Sequence, residues 1–509
     1  MSRQVRRHQE RQAAKERRAK IRQKQRDLRE CQKAQGLEVV SSHSIPNRKS
    51  DYADEQEETL ARQDACVEQM RVLRIHLPTL LKKLEKIPDF RNPKKVKHKQ
   101  TMILLYGVLS FMFQMASRRE ANRKMTRPVF MSNLREMFPE LEDLPHHDTL
   151  NRVLSKIEVD QIEQAQIDLI KDLIRKKKFW RYLIEGRYPL AIDGTQKLVR
   201  YERLNEHLLE RTVGKADQKQ TQYYVSVLEA SFVFSNGMVI PLMSEFLDYE
   251  KGDTSNDKQD CEQRAFHRLA ERLKRAFPRL PILMLLDGLY PNGPIMERIG
   301  KYKWDYMIVL QNDSLKSVWE EYYGLESLTK ENRLERTWGR RRQKFHWVND
   351  IEYAYGTNQR KRKNLHVVTC VESWEEVDRV SGAVVPKNSR HAWISNRSLE
   401  RGNIHERCNL GARHRWGIES GFLVEKRHGY QYEHCFSYDW NAMRGYHYLM
   451  RLGHLFNVLA QYSSALYEKV RQMGFRGFID FVRETMAGPW FDWAYVHKRL
   501  SAPSQLRLE

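Results

Sequence analysis

Three acidic residues stand where a carboxylate can do chemistry: Asp193 in AIDGT, Asp287 in LLDGLYPNG and Glu419 in HRWGIESGFLVEKRHGY. Each aspartate ends a short apolar run and is followed by glycine. That pattern keeps the backbone tight and leaves the carboxylate at one edge of a sheet. Taken singly, either aspartate reads more simply as an Asx turn closing a strand. Glu419 has different company. At about 100° per residue, Arg415, Glu419 and Lys426 share a helical stripe roughly 40° wide, so one carboxylate stands between two cations. An ion pair on a solvated face would give the same spacing. Gly417 and Gly421 weigh against it, since each costs a helix about 1 kcal/mol relative to alanine and suits close approach by another backbone or a nucleic-acid strand. Three carboxylates brought together repel one another and take up protons unless a cation sits among them. Hard oxygen ligands suit Mg²⁺ or Mn²⁺. Two such ions, about 4 Å apart, activate a water or a 3′ hydroxyl on one side of a phosphorus and stabilise the departing oxygen on the other.

The elements that must position these acids begin at Tyr188. YPLAID (188–193) reads as a short strand, YYVSVLEASFVF (223–234) as a longer one, and Asn236-Gly237 turns the latter into MVIPLMSEFL (238–247). A helix over about 257–277 follows, then the buried strand PILMLLD (281–287), a helix near 294–301 and the strand WDYMIVLQ (304–311). Three strands, helix, strand, helix, strand is the ribonuclease H-like order, an α/β fold with a mixed sheet flanked by helices. Its neighbouring strands would set the two aspartates side by side, and a helix across the sheet would bring Glu419. Residues 312–390, with RTWGRRRQKFHWV and LHVVTCVESW, read as a β-rich insertion before the core resumes at HAWISN (391–396). The tract HCFSYDWNAMRGYHYLMRLGHLFNVLAQY reads as a long helix packed behind the Glu419 helix.

Upstream, residues 59–180 read as a helical domain with segments near 60–88, 98–116 and 157–177. LPHHDTLNRVLSKI (144–157) offers Asp148 or Thr149 as N-cap, and with SRREANRK (117–124) it fits either a helix-turn-helix reader of DNA or a plain bundle with a basic surface. Residues 1–30 hold 12 Lys and Arg against 4 Asp and Glu. Such a segment cannot fold alone, and reads as a basic arm, a helix formed on DNA or a solubilising tail. The expected organisation is therefore 1–58 arm and linker, with a polar stretch at Ser41–Glu58, then 59–180 helical and DNA-binding, 181–311 first part of the core, 312–390 insertion, 391–470 second part of the core with the glutamate helix, and 471–509 helical tail.

The whole chain agrees with a polyanionic partner: 509 residues carry a formal net charge of +23, with 40% hydrophobic and 10% aromatic content, enough for real cores. The longest apolar run, Met102–Met115, is too short to span a membrane, and the charged N-terminus never reaches an apolar signal core, so a cytoplasmic protein with no membrane partner is expected. Six scattered cysteines form no CxxC, and His405, Cys408 and His414 fit no common zinc spacing.

On these residues the chain resembles the D-D-E transposases of bacterial insertion sequences, in the group with the signature Tyr-x2-Arg-x3-Glu-x6-Lys. Arg415, Glu419 and Lys426 match its spacing, the aspartates match in context, and the signature tyrosine is replaced by Ala412. The resemblance covers roughly residues 145–460. It implies cut-and-paste transposition, with Asp193, Asp287 and Glu419 as catalytic ligands of two Mg²⁺ or Mn²⁺ ions. Arg415 and Lys426 would grip phosphates beside the scissile bond. Trp338 or Trp347 would stack on a base taken out of the duplex, against the simpler reading of a small β core, and Arg360–Lys363 would contact phosphate or form a solvated turn. The implied partners are double-stranded DNA, as inverted-repeat ends and as target, and further copies of the chain in a dimer or larger assembly. Two other functions share these features: a repressor or architectural protein derived from such an enzyme, and a structure-specific nuclease without strand transfer.

Overall fold

A computed structural model describes residues 3–39, 45, 49–50, 52–215, 218–247 and 258–509, so parts of the expected linker, 41–44, 46–48 and 51, lie outside the described residues. Two units are distinguished, and each is described by itself. The larger comprises residues 45–286, 298–304 and 413–509, and the other residues 1–44, 287–297 and 305–412.

In the larger unit the apolar run becomes the helix Gln100–Met112, buried on nearly every side. A helix apolar all round must be covered by others. Its cover includes the helix Trp440–Gln461, which is capped by Asp439 and also packs on Asp160–Arg175 and His147–Leu154. Among the described residues no helix is long and apolar enough to cross a membrane. The two long helices cross closely because Gly453 has no side chain: a Cβ there would stand 2.9 Å from Phe111 Cβ and 3.2 Å from both Met112 N and Val108 O. Gly453→Ala therefore overpacks a backbone contact, with an expected loss of about 1–3 kcal/mol measurable as a lower denaturant midpoint.

Some helical boundaries differ from the sequence reading. The segment expected over 60–88 is broken into Glu55–Arg71, a π-turn at Val72–His76 and Leu80–Glu85. The helix at 147 is capped by the His146 ring, which accepts from Asp148 N, and not by Asp148 or Thr149. The helix Pro128–Met137 stands between Arg118–Met125 and His147–Leu154 in the chain, so the two basic segments are not the consecutive helices of a helix-turn-helix.

The sheet of this unit is mixed. β1 (Tyr188–Arg200), β2 (Leu209–Val213), β3 (Gln220–Val233) and β4 (Val239–Phe246) pair antiparallel, with β3 between β1 and β4 and also carrying β2. The expected turn is present: Gly237 sits at φ +88° and Asn236 Oδ1 accepts from Met238 N at 3.0 Å. β5 (Ile282–Leu286), buried throughout, runs parallel to β1 with Ala191 opposite Leu285. β2 was not anticipated, and β1 continues seven residues past the expected end at Asp193. The helix Gly417–Arg427 lies across β1, β3 and β4, as the sequence order requires.

In the other unit β6 (Asp305–Val309), β7 (Arg333–Trp338), β8 (Arg341–Tyr355), β9 (Lys361–Val377) and β10 (Val384–Ser395) form a sheet ordered β6-β10-β9-β8-β7. Strands β7, β8 and β9 fall within the residues read as β-rich, but HAWISN is no separate strand. It is the end of β10, whose earlier residues pair with β9 and whose Trp393–Ser395 also pair with β6. Residues 3–34 form one continuous helix, Arg3–Ala34. It is neither a loose arm nor a tail, because the same unit gives it a seat: Gln32 Nε2 donates to Glu375 O at 3.2 Å, Arg17 donates to Val380 O, and Ile21 Cγ1 stands 3.5 Å from the Cβ position of Gly382.

Candidate active site

Asp193 lies inside β1, opposite Glu229 of β3, and its Oδ1 accepts from Gly194 N at 2.9 Å. The glycine after it opens no turn. It leaves room for a carboxylate that the sequence reading overlooked: Glu262 Oε1, from the helix Lys258–Ala276, stands 2.8 Å from where a Gly194 Cβ would be.

The helix proper begins at Gly417, so Arg415 belongs to the 3-10 turn Ala412–Trp416 before it. The pairing expected from the spacing still forms, with Arg415 Nη2 donating to Glu419 Oε1 at 2.9 Å. The same guanidinium places Nη1 3.6 Å from Asp193 Oδ2. Arg415 is 6% exposed, and its Nε and Nη1 have no hydrogen-bond acceptor among the described residues. Two carboxylates distant in sequence thus meet on one buried cation. Lys426 is held by Glu433 Oε1 at 3.1 Å.

Gly417 and Gly421 face the sheet and not the outside. Cβ atoms added there would stand 3.2 Å from Val233 Cγ1 and 3.2 Å from Val239 Cγ1. The close approach they permit is that of valine side chains on β3 and β4, which corrects the expectation of a DNA strand or a second backbone. Tyr430 does not replace the missing signature tyrosine at a surface: it is fully buried and its hydroxyl accepts from Asn457 Nδ2 at 2.9 Å.

A group of buried ions invisible in the sequence holds the glutamate helix in place. Glu425 accepts from Arg451 Nη1 at 2.9 Å and lies 2.7 Å from His454 Nδ1, while Arg451 Nη2 reaches Glu229 Oε2 at 3.3 Å. Glu229 also accepts from Ser244 and Tyr432 hydroxyls at 2.6 and 3.1 Å, and stands 3.2 Å from His447 Nε2. Lys197 Nζ donates to Tyr432 O at 3.1 Å. Burial opposes the charge on Glu229, but Arg451 and the hydrogen bonds prevail and hold its carboxyl down at about 2. Burial pushes His447 down to about 4 and Lys197 down to about 8. The network ties β1, β3, the glutamate helix and the helix Trp440–Gln461 together, which fixes the rotation of the face carrying Glu419.

In the other unit Asp287 is the residue directly after β5 in the chain, and its Oδ1 accepts from Leu289 N at 2.9 Å in an Asx turn. Trp338 is half-buried at the β7–β8 turn, opposite Arg341, whereas Trp347 is 3% exposed. Trp347 is therefore core and offers no ring to a base. Trp347→Ala is expected to cost about 3–5 kcal/mol of stability in a denaturant titration, and Trp338→Ala far less. Of the basic cluster, Lys361 bonds Glu297 at 2.8 Å, Arg362 pairs with Glu352 and Lys363 donates to Met296 O at 2.8 Å, and Arg360 is exposed with no side-chain partner among the described residues.

Within the larger unit a cleft of about 720 Å³ is lined by Arg91, Lys95, Lys97, Arg152 and Lys156, with Phe90 in its wall. Lys156 Nζ stands 5.4 Å from the centre of the Phe90 ring.

Residues 81–170, which contain this cleft, match the family described as DDE_Tnp_1-associated. No curated protein matches the chain. The match sets residues 81–170 in the context of the DDE-family transposases, in a chain whose fold is mixed α/β.

Proposed function

We propose that the protein is a D-D-E transposase that cuts DNA at the ends of its element and joins them to target DNA, with a ribonuclease H-like core. The observation that carries this reading is the meeting of Asp193 and Glu419 on Arg415. The sequence signature and the match over residues 81–170 support it.

The donor set fits a hard divalent cation. Asp193 and Glu419 are partly exposed, with side-chain exposures of 20% and 39%, and the position between them already attracts a positive group. Asp193, Asp287 and Glu419 would hold Mg²⁺ or Mn²⁺, which supplies Lewis acidity at the phosphorus and an activated water or hydroxyl. The protein's own part is to orient. Arg415 exchanges a carboxylate for a phosphate oxygen as DNA enters, using its spare Nε and Nη1 donors. Lys426, released from Glu433, neutralises a neighbouring phosphate. The buried Glu425–Arg451–Glu229 chain keeps Glu419 from turning away from β1. The cleft at Arg91 to Lys156 suits duplex phosphates and gives the helical region its DNA-binding role.

Linear DNA carrying the element ends, incubated with the protein and either Mg²⁺ or EDTA, tests the proposal on a denaturing gel. Metal-dependent nicks at the element boundary followed by joined products are expected. Cleavage without joining would reduce the protein to a nuclease, and binding without cleavage, in Mn²⁺ as well, would leave a DNA-binding derivative.

A further inference from the structure

The N-terminal helix carries more order than its composition suggests. At 100° per residue its seat residues Ile21, Gln25, Leu28 and Gln32 cluster within about 60° of one another. Beside that seat runs a second stripe, about 100° wide: Arg7, Arg11, Lys15, Arg18, Arg22, Arg26, Arg29 and Lys33. The spacing is four, four, three, four, four, three, four. All four acids of the helix, Glu10, Glu16, Asp27 and Glu30, fall outside this stripe. Every one of the eight cations is exposed, and none of their side chains has an ion pair or hydrogen bond among the described residues. Elsewhere on the helix Arg6 does pair, with Glu10 at 3.3 Å.

Like charges at i,i+4 destabilise a helix. A merely solvated helix would intersperse its acids among its cations, as charge-laced surface helices do. Here the cations are kept apart from the acids, and the helix is held by the neighbouring flank on the β9–β10 hairpin, through Gln32 to Glu375 O and Ile21 against Gly382. The large apolar residues Ile21 and Leu28 are spent on that seat, and a lone Val5 makes no apolar face to enter a lipid surface. What fits is a stiff, regular polyanion. From Arg7 to Lys33 the stripe is about 39 Å long, the length of about 11 base pairs.

We propose that the helix Arg3–Ala34 is a rail for the phosphate backbone of duplex DNA, gripped without regard to sequence by these eight side chains. The proposal rests on the reading of the protein as one that acts on DNA, and it assigns to this helix a share of binding separate from the site at Glu419. The DNA on the rail comes either from beyond the element end or from the target, and the two share the same backbone.

The test uses the full chain with all eight residues changed to glutamine, which keeps helix propensity. Binding to a 30-base-pair duplex is measured between 50 and 200 mM salt. Each phosphate contact contributes about 0.9 to the slope of log K against log salt, so the variant's slope should be shallower by about 4 or more. The loss should be equal on element-end and unrelated duplexes, since the rail grips the backbone alone, and a loss confined to one of them overturns the sequence-independent grip. Two controls guard the result. An eightfold lysine variant should keep the wild-type slope. Glutamine at Arg6, Lys20 and Lys24, off the stripe, should change the slope by less than about 1. A slope altered by less than about 1 in the eightfold variant, with helicity intact by circular dichroism, overturns the rail. So does an equal loss per residue from the three off-stripe changes. Magnesium-dependent nicking of saturated DNA at low salt separates the two readings: it persists in the variant if only the rail is wrong, and is absent from the wild type if the enzyme reading is wrong.

Discussion

Glu419→Gln is expected to lower metal-dependent cleavage by more than about 100-fold while leaving the affinity for element-end DNA within about twofold. Removing an outer-shell partner of a metal ligand already costs about 10–100-fold, and a ligand itself costs more. Affinity survives because phosphate contacts, and not the carboxylate, supply it. The geometry adds a second expectation. Arg415 loses its charged partner at 2.9 Å, so its guanidinium is freer for phosphate, and binding should tighten slightly and not weaken. Gel-shift and cleavage assays on the same preparation decide both points. A Glu419→Gln protein that cleaves at the wild-type rate would remove the third acid from the proposed site.

Arg451→Met is the substitution expected to harm the fold most. It leaves Glu229 and Glu425, both fully buried, without the cation between them, and breaking a buried pair in this way costs about 3–5 kcal/mol. The pH dependence carries a sign that separates this from ordinary loss of packing. Glu229, held at about 2 against an ordinary 4.5, gives stability that is present above pH 4.5 and lost as pH falls toward 2. His447, pushed by burial to about 4 from 6.5, likewise gives stability above pH 6.5 that is lost as pH falls toward 4. The wild type should therefore lose stability steadily on acidification below about pH 6.5. In Arg451→Met the stranded carboxylates are relieved by protons, so the deficit relative to wild type should narrow from pH 7 to pH 5. Denaturant unfolding at three pH values measures it, and a deficit that stays constant would show that these charges are not coupled through Arg451.

How much of this was legible in the sequence follows from which residues act locally. The strands of β1, β3 and β4 announce themselves by apolar runs and Asn236-Gly237, and Asp287 by the five buried residues before it. The Arg415–Glu419 contact is legible because both ends lie within one turn. The continuation of β1 past Asp193 is hidden because Gln196 and Lys197 look like surface residues until Tyr432 and Glu229 cover Lys197. Glu425 is hidden for the same reason: nothing in its neighbours tells a buried glutamate from an exposed one when its partner is Arg451. The N-terminal helix is unreadable as an element on its own, since Gln32 finds its acceptor 343 residues along the chain.

The contact of Gly417 and Gly421 with Val233 and Val239 ties four positions into one shared volume. A lineage that gains a methyl group at 417 or 421 must surrender one at 233 or 239, or the helix lifts and carries Glu419 off β1 with it. Related chains should therefore exchange size between these positions in compensating pairs, so that the spacing of helix and sheet is inherited as a sum and not as four separate letters.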